Sequence, residues 1–168
     1  MSCTEHRQQA RDLVARCGVV TLSDSRTKET DGSGKKIIEL LGAEGHRLIE
    51  YQILPDDPER LESLLGKWLA GDDVDAILTN GGTGIAPRDQ TVGVIERLLD
   101  TPLEGFGELF RMLSWEQIGS GAMLSRAVAG AARGKLVFAM PGSTAGVELA
   151  MQRLILPEIR HLLAQLRR

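Results

Sequence analysis

The sequence predicts an α/β fold: a three-layer α/β/α sandwich on a mostly parallel sheet, with one antiparallel strand. Short apolar runs alternate with stretches whose apolar residues recur at helical spacing. That order builds parallel strands joined by right-handed helical crossovers, with helices on both sheet faces. Several of the apolar runs end directly in polar or glycine-rich loops, as strands do at the carboxyl edge of an open sheet. A short break, Ala132-Arg133-Gly134, separates the last strand candidates, which suits a hairpin and hence one reversed strand.

Residues 18–22 form an apolar run ending at Ser23-Asp24, a buried strand whose carboxyl end meets a polar loop. Ile37, Ile38 and Leu41, between Gly34 and Gly45, fall at helical spacing, with Asp31 or Ser33 placed to cap that helix. Across residues 48–54, Ile49, Tyr51 and Ile53 alternate with Glu50 and Gln52, the pattern of a strand with one wetter face. Pro58 opens the next helix, whose stripe of Leu61, Leu64, Leu65, Trp68 and Leu69 stops at Gly71. Residues 76–79 are a further buried strand, running straight into Asn80-Gly81-Gly82-Thr83-Gly84. A helix from about Thr91 carries Val94, Ile95, Leu98 and Leu99, and another places Phe106, Leu109, Phe110 and Leu113 at i, i+3, i+4 and i+7. Residues 125–131 and 135–140 are the hairpin strands. After Pro141-Gly142-Ser143, Val147, Ala150, Met151 and Leu154 mark a helix that Pro157 kinks or ends, and Ile159, Leu162, Leu163 and Leu166 continue the pattern.

With 168 residues, 42% of them hydrophobic and 26% charged, the chain can bury one continuous core and has the balance of a soluble globular protein. Residues 15–168 are expected to form a single domain behind a flexible N-terminal extension, residues 1–14. That extension is polar and lacks the apolar segment of a secretory signal. No apolar run is long enough to span a bilayer, so the expected location is the cytoplasm, away from membranes. A net charge of −3 argues against capture of nucleic acid, which needs a clustered basic face. Cys3 and Cys17 are too few for a disulfide framework or zinc cluster, and His6, His46 and His161 lack metal-ligand spacing. Gly32-Ser33-Gly34-Lys35-Lys36 is not a P-loop and no GxGxxG follows the first strand, which disfavours a kinase-like NTPase or a dehydrogenase.

Chemistry is expected where loops leave the carboxyl ends of strands. Those loops are Ser23-Asp24-Ser25-Arg26, Gly81-Gly82-Thr83-Gly84 and Pro141-Gly142-Ser143. A glycine run after a strand often does no more than turn the chain. Gly81, Gly82 and Gly84 would also let the backbone approach a ligand and aim N–H donors at a phosphate, with the Thr83 hydroxyl beside them. Arg88 and Asp89 follow within a few residues, adding a fixed cation for phosphate and a carboxylate for magnesium or proton transfer. Asp56 is either a helix cap or a crevice carboxylate. Asp57, immediately before Pro58, fits the cap better and leaves Asp56 free. Glu108 and Arg111 have the spacing of a helix ion pair, and Ser125-Arg126 could be ordinary surface, although an arginine fork also suits phosphate.

Taken together, Thr21-Leu22-Ser23-Asp24, Asp31-Gly32-Ser33-Gly34, Gly81-Gly82-Thr83-Gly84, Arg88-Asp89-Gln90-Thr91, Glu104-Gly105-Phe106-Gly107-Glu108, Leu124-Ser125-Arg126 and Met140-Pro141-Gly142-Ser143 resemble the MoaB/MogA family of molybdopterin-binding proteins. The resemblance runs over nearly the whole chain from about Ala15, and the stretch from Glu104 to Gly119 looks closer to the MoaB branch. It implies an adenylyltransferase, in which the terminal phosphate of molybdopterin attacks the α-phosphate of ATP with magnesium assisting and pyrophosphate leaving. By the same resemblance, Asp56 and Asp89 would be the catalytic acids, holding Mg2+ or orienting the phosphates. Gly81, Gly82, Thr83, Gly84, Ser125, Arg126, Pro141, Gly142 and Ser143 would line the pterin and phosphate pocket. Ser23, Asp24, Asp31, Ser33 and Gly34 would border the crevice, with Glu108 and Arg111 as further binding candidates. The alternatives are a non-catalytic molybdopterin carrier or scaffold and a purely structural oligomerisation module. The family forms trimers, which its MoaB branch pairs into hexamers. The helix bearing Phe106, Leu109, Phe110, Met112 and Leu113 offers either a subunit contact or a piece of core.

Overall fold

The computed structural model describes residues 10–168; Cys3 and His6 lie outside the described residues. The elements are β1 (Arg16–Leu22), α1 (Gly32–Ala43), β2 (Arg47–Leu54), α2 (Pro58–Ala70), β3 (Ala76–Asn80), α3 (Thr91–Leu98), β4 (Thr101–Pro102), α4 (Glu104–Ile118), a 3-10 turn (Gly119–Leu124), β5 (Val128–Ala132), β6 (Lys135–Met140), α5 (Thr144–Ala150), a π-helical turn (Met151–Ile155) and α6 (Leu156–Leu166). The six strands lie in the order β2-β1-β3-β6-β5-β4. Strands β2, β1, β3 and β6 are parallel, while β5 runs antiparallel to both β6 and β4. The predicted α/β class and its one reversed strand are therefore what the molecule has.

Alternation along the central strands divides the core between the sheet's faces. Val19, Leu78, Leu136, Phe138 and Met140 pack with Ile37 and Leu41 of α1, Phe106 and Phe110 of α4, and Val147, Met151, Ile155 and Ile159 of the C-terminal helices. Val20, Leu22, Ile77 and Val137 point the other way, onto Leu61, Leu65 and Trp68 of α2 and Val94 and Ile95 of α3. These layers bring the carboxyl ends of β1, β3 and β6 side by side.

Local chemistry explains the boundaries. Asp31 rather than Ser33 caps α1, accepting from Gly34 N, and Asp57 caps α2, accepting from Glu59 N and Arg60 N. The β5–β6 hairpin turns through Arg133 and Gly134 with φ of 48° and 74°, the paired left-handed residues of a tight two-residue turn. Strand β5 starts at Val128 rather than at residue 125, because Arg126 N donates to Thr83 O at 3.3 Å and draws that segment onto the glycine loop. Pro157 does not end the helix. It has no N–H for the preceding turn and its ring crowds a carbonyl there; the π-helical turn takes up the misfit and α6 continues beyond it. Helix α4 runs to Ile118, beyond the apolar pattern that ends at Leu113, and the two-residue β4 is too short to leave a pattern at all.

Of the segment before residue 15, Ala10 is buried and Leu13 packs against the core, with Leu13 O accepting from Arg160 Nε at 2.9 Å. Cys17 is a free thiol, and burial, then the charge of Asp75, pushes it up to about 12, which leaves it inert as a nucleophile. Among the described residues no helix is long and apolar enough to cross a membrane.

Asp75 locks this frame at the amino end of β3. It accepts from Arg16 N and Nε at 2.9 Å, and from Arg167 Nη2 at 3.0 Å. Burial alone would raise its pKa, but the hydrogen bonds and charge of Arg16, with the charge of Arg167, hold it at about 2. The folded value lies below the unfolded one, so the stabilisation is complete above about pH 4 and disappears as pH falls toward 2. Asp75→Asn is expected to lower stability at pH 7 by on the order of 2 kcal/mol. Urea unfolding of both proteins should show that gap closing as the pH approaches 2; a gap that persists there would contradict the assignment.

Candidate functional site

A cleft of about 400 Å³ opens where β3 and β6 end. The loops after the two strands contribute Gly81, Gly82, Thr83, Gly84, Pro141, Gly142 and Ser143; Ser125 and Asp89 join them, and α4 supplies Phe110, Ser114, Gln117 and Ile118. Gly81 and Gly82 have φ of 94° and 65°, a region that L side chains rarely enter. A Cβ on Gly81 would strike Leu22 O, and one on Gly82 would strike Thr91 Oγ1. The loop is held mainly by its carbonyls: Gly82 O accepts from Thr91 N at 3.2 Å and Thr83 O from Arg126 N. Gly81 N donates to Met140 O at 3.1 Å and so is not free for a ligand. The N–H groups of Gly82, Thr83 and Gly84 donate to no group among the described residues, which leaves them available to an anion.

The carboxylates flank this loop. Asp89 lines the cleft, its Oδ2 accepting from Ala86 N at 2.9 Å. A Cβ on Gly84 would sit 2.7 Å from Asp89 Oδ2, so the glycine is what lets loop and acid approach. Asp56 lies behind Gly82, in a narrow crevice with Arg88 and Thr91 rather than in the cleft itself. Its Oδ1 is buried without a hydrogen-bond partner among the described residues. Burial, and then the negative charge of Asp89, pushes the Asp56 carboxyl above its ordinary value. An orphaned acceptor beside a second like charge fits a divalent cation, which would satisfy the one and neutralise both. No group of three metal-ligating side chains occurs among the described residues, so phosphate oxygens and water would complete the shell of a magnesium ion here, as they commonly do.

The first-strand loop does not line the cleft; it supports it. Ser23 Oγ accepts from Ser25 N and Arg26 N. Asp24 Oδ1 accepts from Asp56 N at 3.1 Å, and its other oxygen pairs with Arg88. That pairing occupies the arginine expected to meet phosphate. Asp31 is fully buried, accepting from Thr21 Oγ1 at 2.6 Å, Gly34 N at 3.0 Å, Ser33 Oγ at 3.1 Å and Tyr51 OH. Burial would raise its pKa, but these donors together bring it below the ordinary carboxylate range. Asn80 Nδ2 donates to Thr21 Oγ1 at 2.8 Å, and its Oδ1 lies 2.8 Å from Ser33 Oγ. Asp31, Ser33 and Gly34 thus belong to a buried polar network that fixes the ends of β1 and β3.

Arg126 is a brace for the glycine loop, donating from Nε to Gly84 O at 3.0 Å and from Nη2 to Asp89 O at 2.6 Å. Arg111 Nη1 donates to the carbonyls of Ser125 and Ala127 at 3.3 and 3.4 Å. Glu108 is exposed and lines a separate groove with Arg111 and Arg126. The cleft wall formed by Phe110, Ser114, Gln117 and Ile118 escaped the sequence reading, although a helical continuation of the Phe110 face through Ser114 to Gln117 and Ile118 carries its signal. Phe106, Phe110 and Leu113 of the same helix are core, whereas Leu109, Met112, Trp115 and Ile118 are exposed.

Residues 18–161 match the family described as "Probable molybdopterin binding domain". The Molybdenum cofactor biosynthesis protein B of Bacillus cereus is 52% identical over 169 residues, covering 100% of this chain and 99% of the relative. A crystal structure of a Molybdenum cofactor biosynthesis protein B superposes with a TM-score of 0.90 at 50% identity, over 92% of this chain and 97% of that one. The tungsten cofactor synthesizing protein MoaB from Pyrococcus furiosus follows the same fold with a TM-score of 0.83 at 36% identity, over 92% of this chain and 98% of that one. Matched along its length in sequence and fold, the chain belongs to the MoaB/MogA family of molybdenum cofactor biosynthesis proteins, on the MoaB side.

Proposed function

We propose that this protein binds molybdopterin in the cleft and adenylylates it with Mg-ATP, releasing pyrophosphate. The observation that carries the reading is the orphaned, buried Asp56 Oδ1. It stands beside a second carboxylate, at a loop whose Gly82, Thr83 and Gly84 N–H groups donate to no group among the described residues. Such an acceptor is costly to the fold and is explained by a cation present during the reaction. The phosphate oxygen of the pterin would form a bond to the α-phosphorus of ATP as the bond from that phosphorus to pyrophosphate breaks. Bringing these anions together asks for positioning and charge neutralisation rather than covalent chemistry from the protein. The Gly82, Thr83 and Gly84 amides supply donors to the phosphate, and Asp89, fixed by Ala86 N, orients the reacting groups. Phe110 and Leu149 line the same cleft and give the pterin ring an apolar surface. Magnesium held by Asp56 and Asp89 would supply the positive charge that the transferring phosphoryl group requires.

The test is pyrophosphate release from purified protein given molybdopterin, ATP and magnesium. Asp89→Asn is expected to abolish it while leaving the fold intact, because the asparagine oxygen can still accept from Ala86 N. Release undiminished by that substitution would remove Asp89 from the mechanism. A carrier that holds molybdopterin without turnover is the second reading, favoured by the pairing of Arg88 with Asp24, which withdraws one cation from the phosphates. Binding without pyrophosphate in the wild-type protein would select it. The exposed stripe of Leu109, Met112, Trp115 and Ile118 supports assembly with further copies of the chain, as a trimer or a dimer of trimers.

A further inference from the structure

Arg26 lies outside the cleft lining, yet it joins segments that are remote in sequence. Nη1 donates to Ser33 Oγ at 2.6 Å and lies 3.5 Å from Asp31 Oδ1. Nη2 donates to Gly142 O at 2.8 Å. The backbone of Arg26 is itself fixed, its N–H donating to Ser23 Oγ at 3.2 Å. One planar fork therefore ties the buried Asp31 and Ser33, at the start of α1, to the loop after β6. Gly142 packs tightly at this point, since a Cβ there would lie 3.3 Å from Gly81 Cα and 4.0 Å from Arg26 Nη1.

The direction of that bond matters. In a trans peptide the C=O and N–H point to opposite sides, and no cis peptide occurs among the described residues. Drawing Gly142 O to Arg26 turns the following N–H, that of Ser143, away from Arg26. Gly142 and Ser143 line the cleft and Arg26 does not. The Ser143 N–H donates to no group among the described residues, while the Ser143 hydroxyl is occupied in accepting from Gly146 N at 3.1 Å.

We propose that Arg26 is a positioning residue, which locks the Gly142–Ser143 peptide so that the Ser143 N–H faces a phosphate group bound in the cleft. The inference rests on the cleft being a phosphate site, as proposed above, but not on adenylyl transfer. It explains why an arginine stands here: the task is to hold a hydroxyl and a carbonyl at once, which a single ammonium group does poorly.

Amide NMR shifts of the full chain, titrated with inorganic phosphate, test this directly. In the wild-type protein the Ser143 amide is expected to move on titration, together with those of Gly82 and Thr83. Arg26→Ala is expected to weaken phosphate binding about tenfold, the scale of losing one well-aimed donor to a charged group, and to abolish the movement of Ser143 while Gly82 and Thr83 still respond. Arg26→Lys keeps the charge without the fork and is expected to bind as weakly as Arg26→Ala; it also serves if the alanine variant does not fold. Wild-type Ser143 that ignores phosphate, an Arg26→Ala protein with unaltered affinity, or full recovery in Arg26→Lys would each overturn the proposal. Because phosphate binding is the readout, a wild-type protein that binds phosphate but makes no pyrophosphate would defeat the adenylyltransferase reading alone.

Discussion

Asp31→Asn is expected to lower the unfolding free energy by about 3–5 kcal/mol, the range for breaking one side of a buried ionic group. The carboxylate is fully buried and is surrounded only by donors: Thr21 and Tyr51 meet one oxygen, and Gly34 N and Ser33 meet the other. Arg26 Nη1 stands 3.5 Å away as its counter-charge. An asparagine of the same shape must put an NH2 against one of these donor sets, so hydrogen bonds are lost on that side and Arg26 loses its anion. Thr21 Oγ1 cannot reverse its role freely, because it already accepts from Asn80 Nδ2. The consequence passes to the N-terminus of α1, where the Asp31 side chain is the cap. Equilibrium urea unfolding measures the loss; a change below about 1 kcal/mol, the scale of a typical single hydrogen bond, would show that the network is not what fixes the ends of β1 and β3.

That network also marks where sequence reasoning stopped. Local signals were legible: the stripe on α2, the Asp57 cap before Pro58, the turn through Arg133 and Gly134, and the glycine run after β3 each depend on neighbours a few residues away. The pairing of Thr21 with Asn80 across β1 and β3 depends on sheet register, and only that register places Asp31 beneath both strands. A charged residue in a loop-like motif therefore suggests a border of the crevice, whereas in the fold Asp31 is buried support for it. The choice between Asp31 and Ser33 as cap was left open by spacing alone, and three-dimensional packing gives the cap to Asp31 and links Ser33 to Asn80.

The site divides along the same line. Gly81 to Gly84 and Pro141 to Ser143 meet at one cleft, as loops after the neighbouring parallel strands β3 and β6 do, and Ser125 joins them because it precedes the antiparallel β5. The arginines are not legible in the sequence, because which anion or carbonyl a long flexible side chain meets is set by the fold. Arg88 meets Asp24, Arg126 meets carbonyls of the glycine loop, and Arg26, counted among loop residues without a role, spans three segments. The helical wall from Phe110 to Ile118 was missed because Ser114 and Gln117 break the apolar periodicity at the point where the helix turns from core to cleft.

Asp56→Asn should give the opposite stability result from Asp31→Asn, with a larger effect on function. Asp56 Oδ1 has no donor, and burial together with the charge of Asp89 holds its pKa above the ordinary value. A carboxyl whose folded pKa lies above its unfolded one costs the fold nothing while protonated. The penalty grows as pH rises from the unfolded value and is complete once the pH stands above the folded one. Replacing the charge by a neutral amide removes that repulsion, so the melting temperature at pH 7 is expected to stay level or rise. Magnesium-dependent pyrophosphate release should fall by about a hundredfold or more, the scale on which loss of one charge-stabilising group acts in a preorganised site. The same reasoning gives a binding readout: magnesium should raise the melting temperature of the wild-type protein and leave that of Asp56→Asn unmoved, because a ligand stabilises only the state that binds it. A variant that melts lower than wild type while keeping its turnover would make Asp56 a structural carboxylate like Asp31. The gain in stability with loss of function separates a residue kept for its ligand from one kept for the fold, since a group that strains the protein in isolation persists where its partner arrives with the substrate.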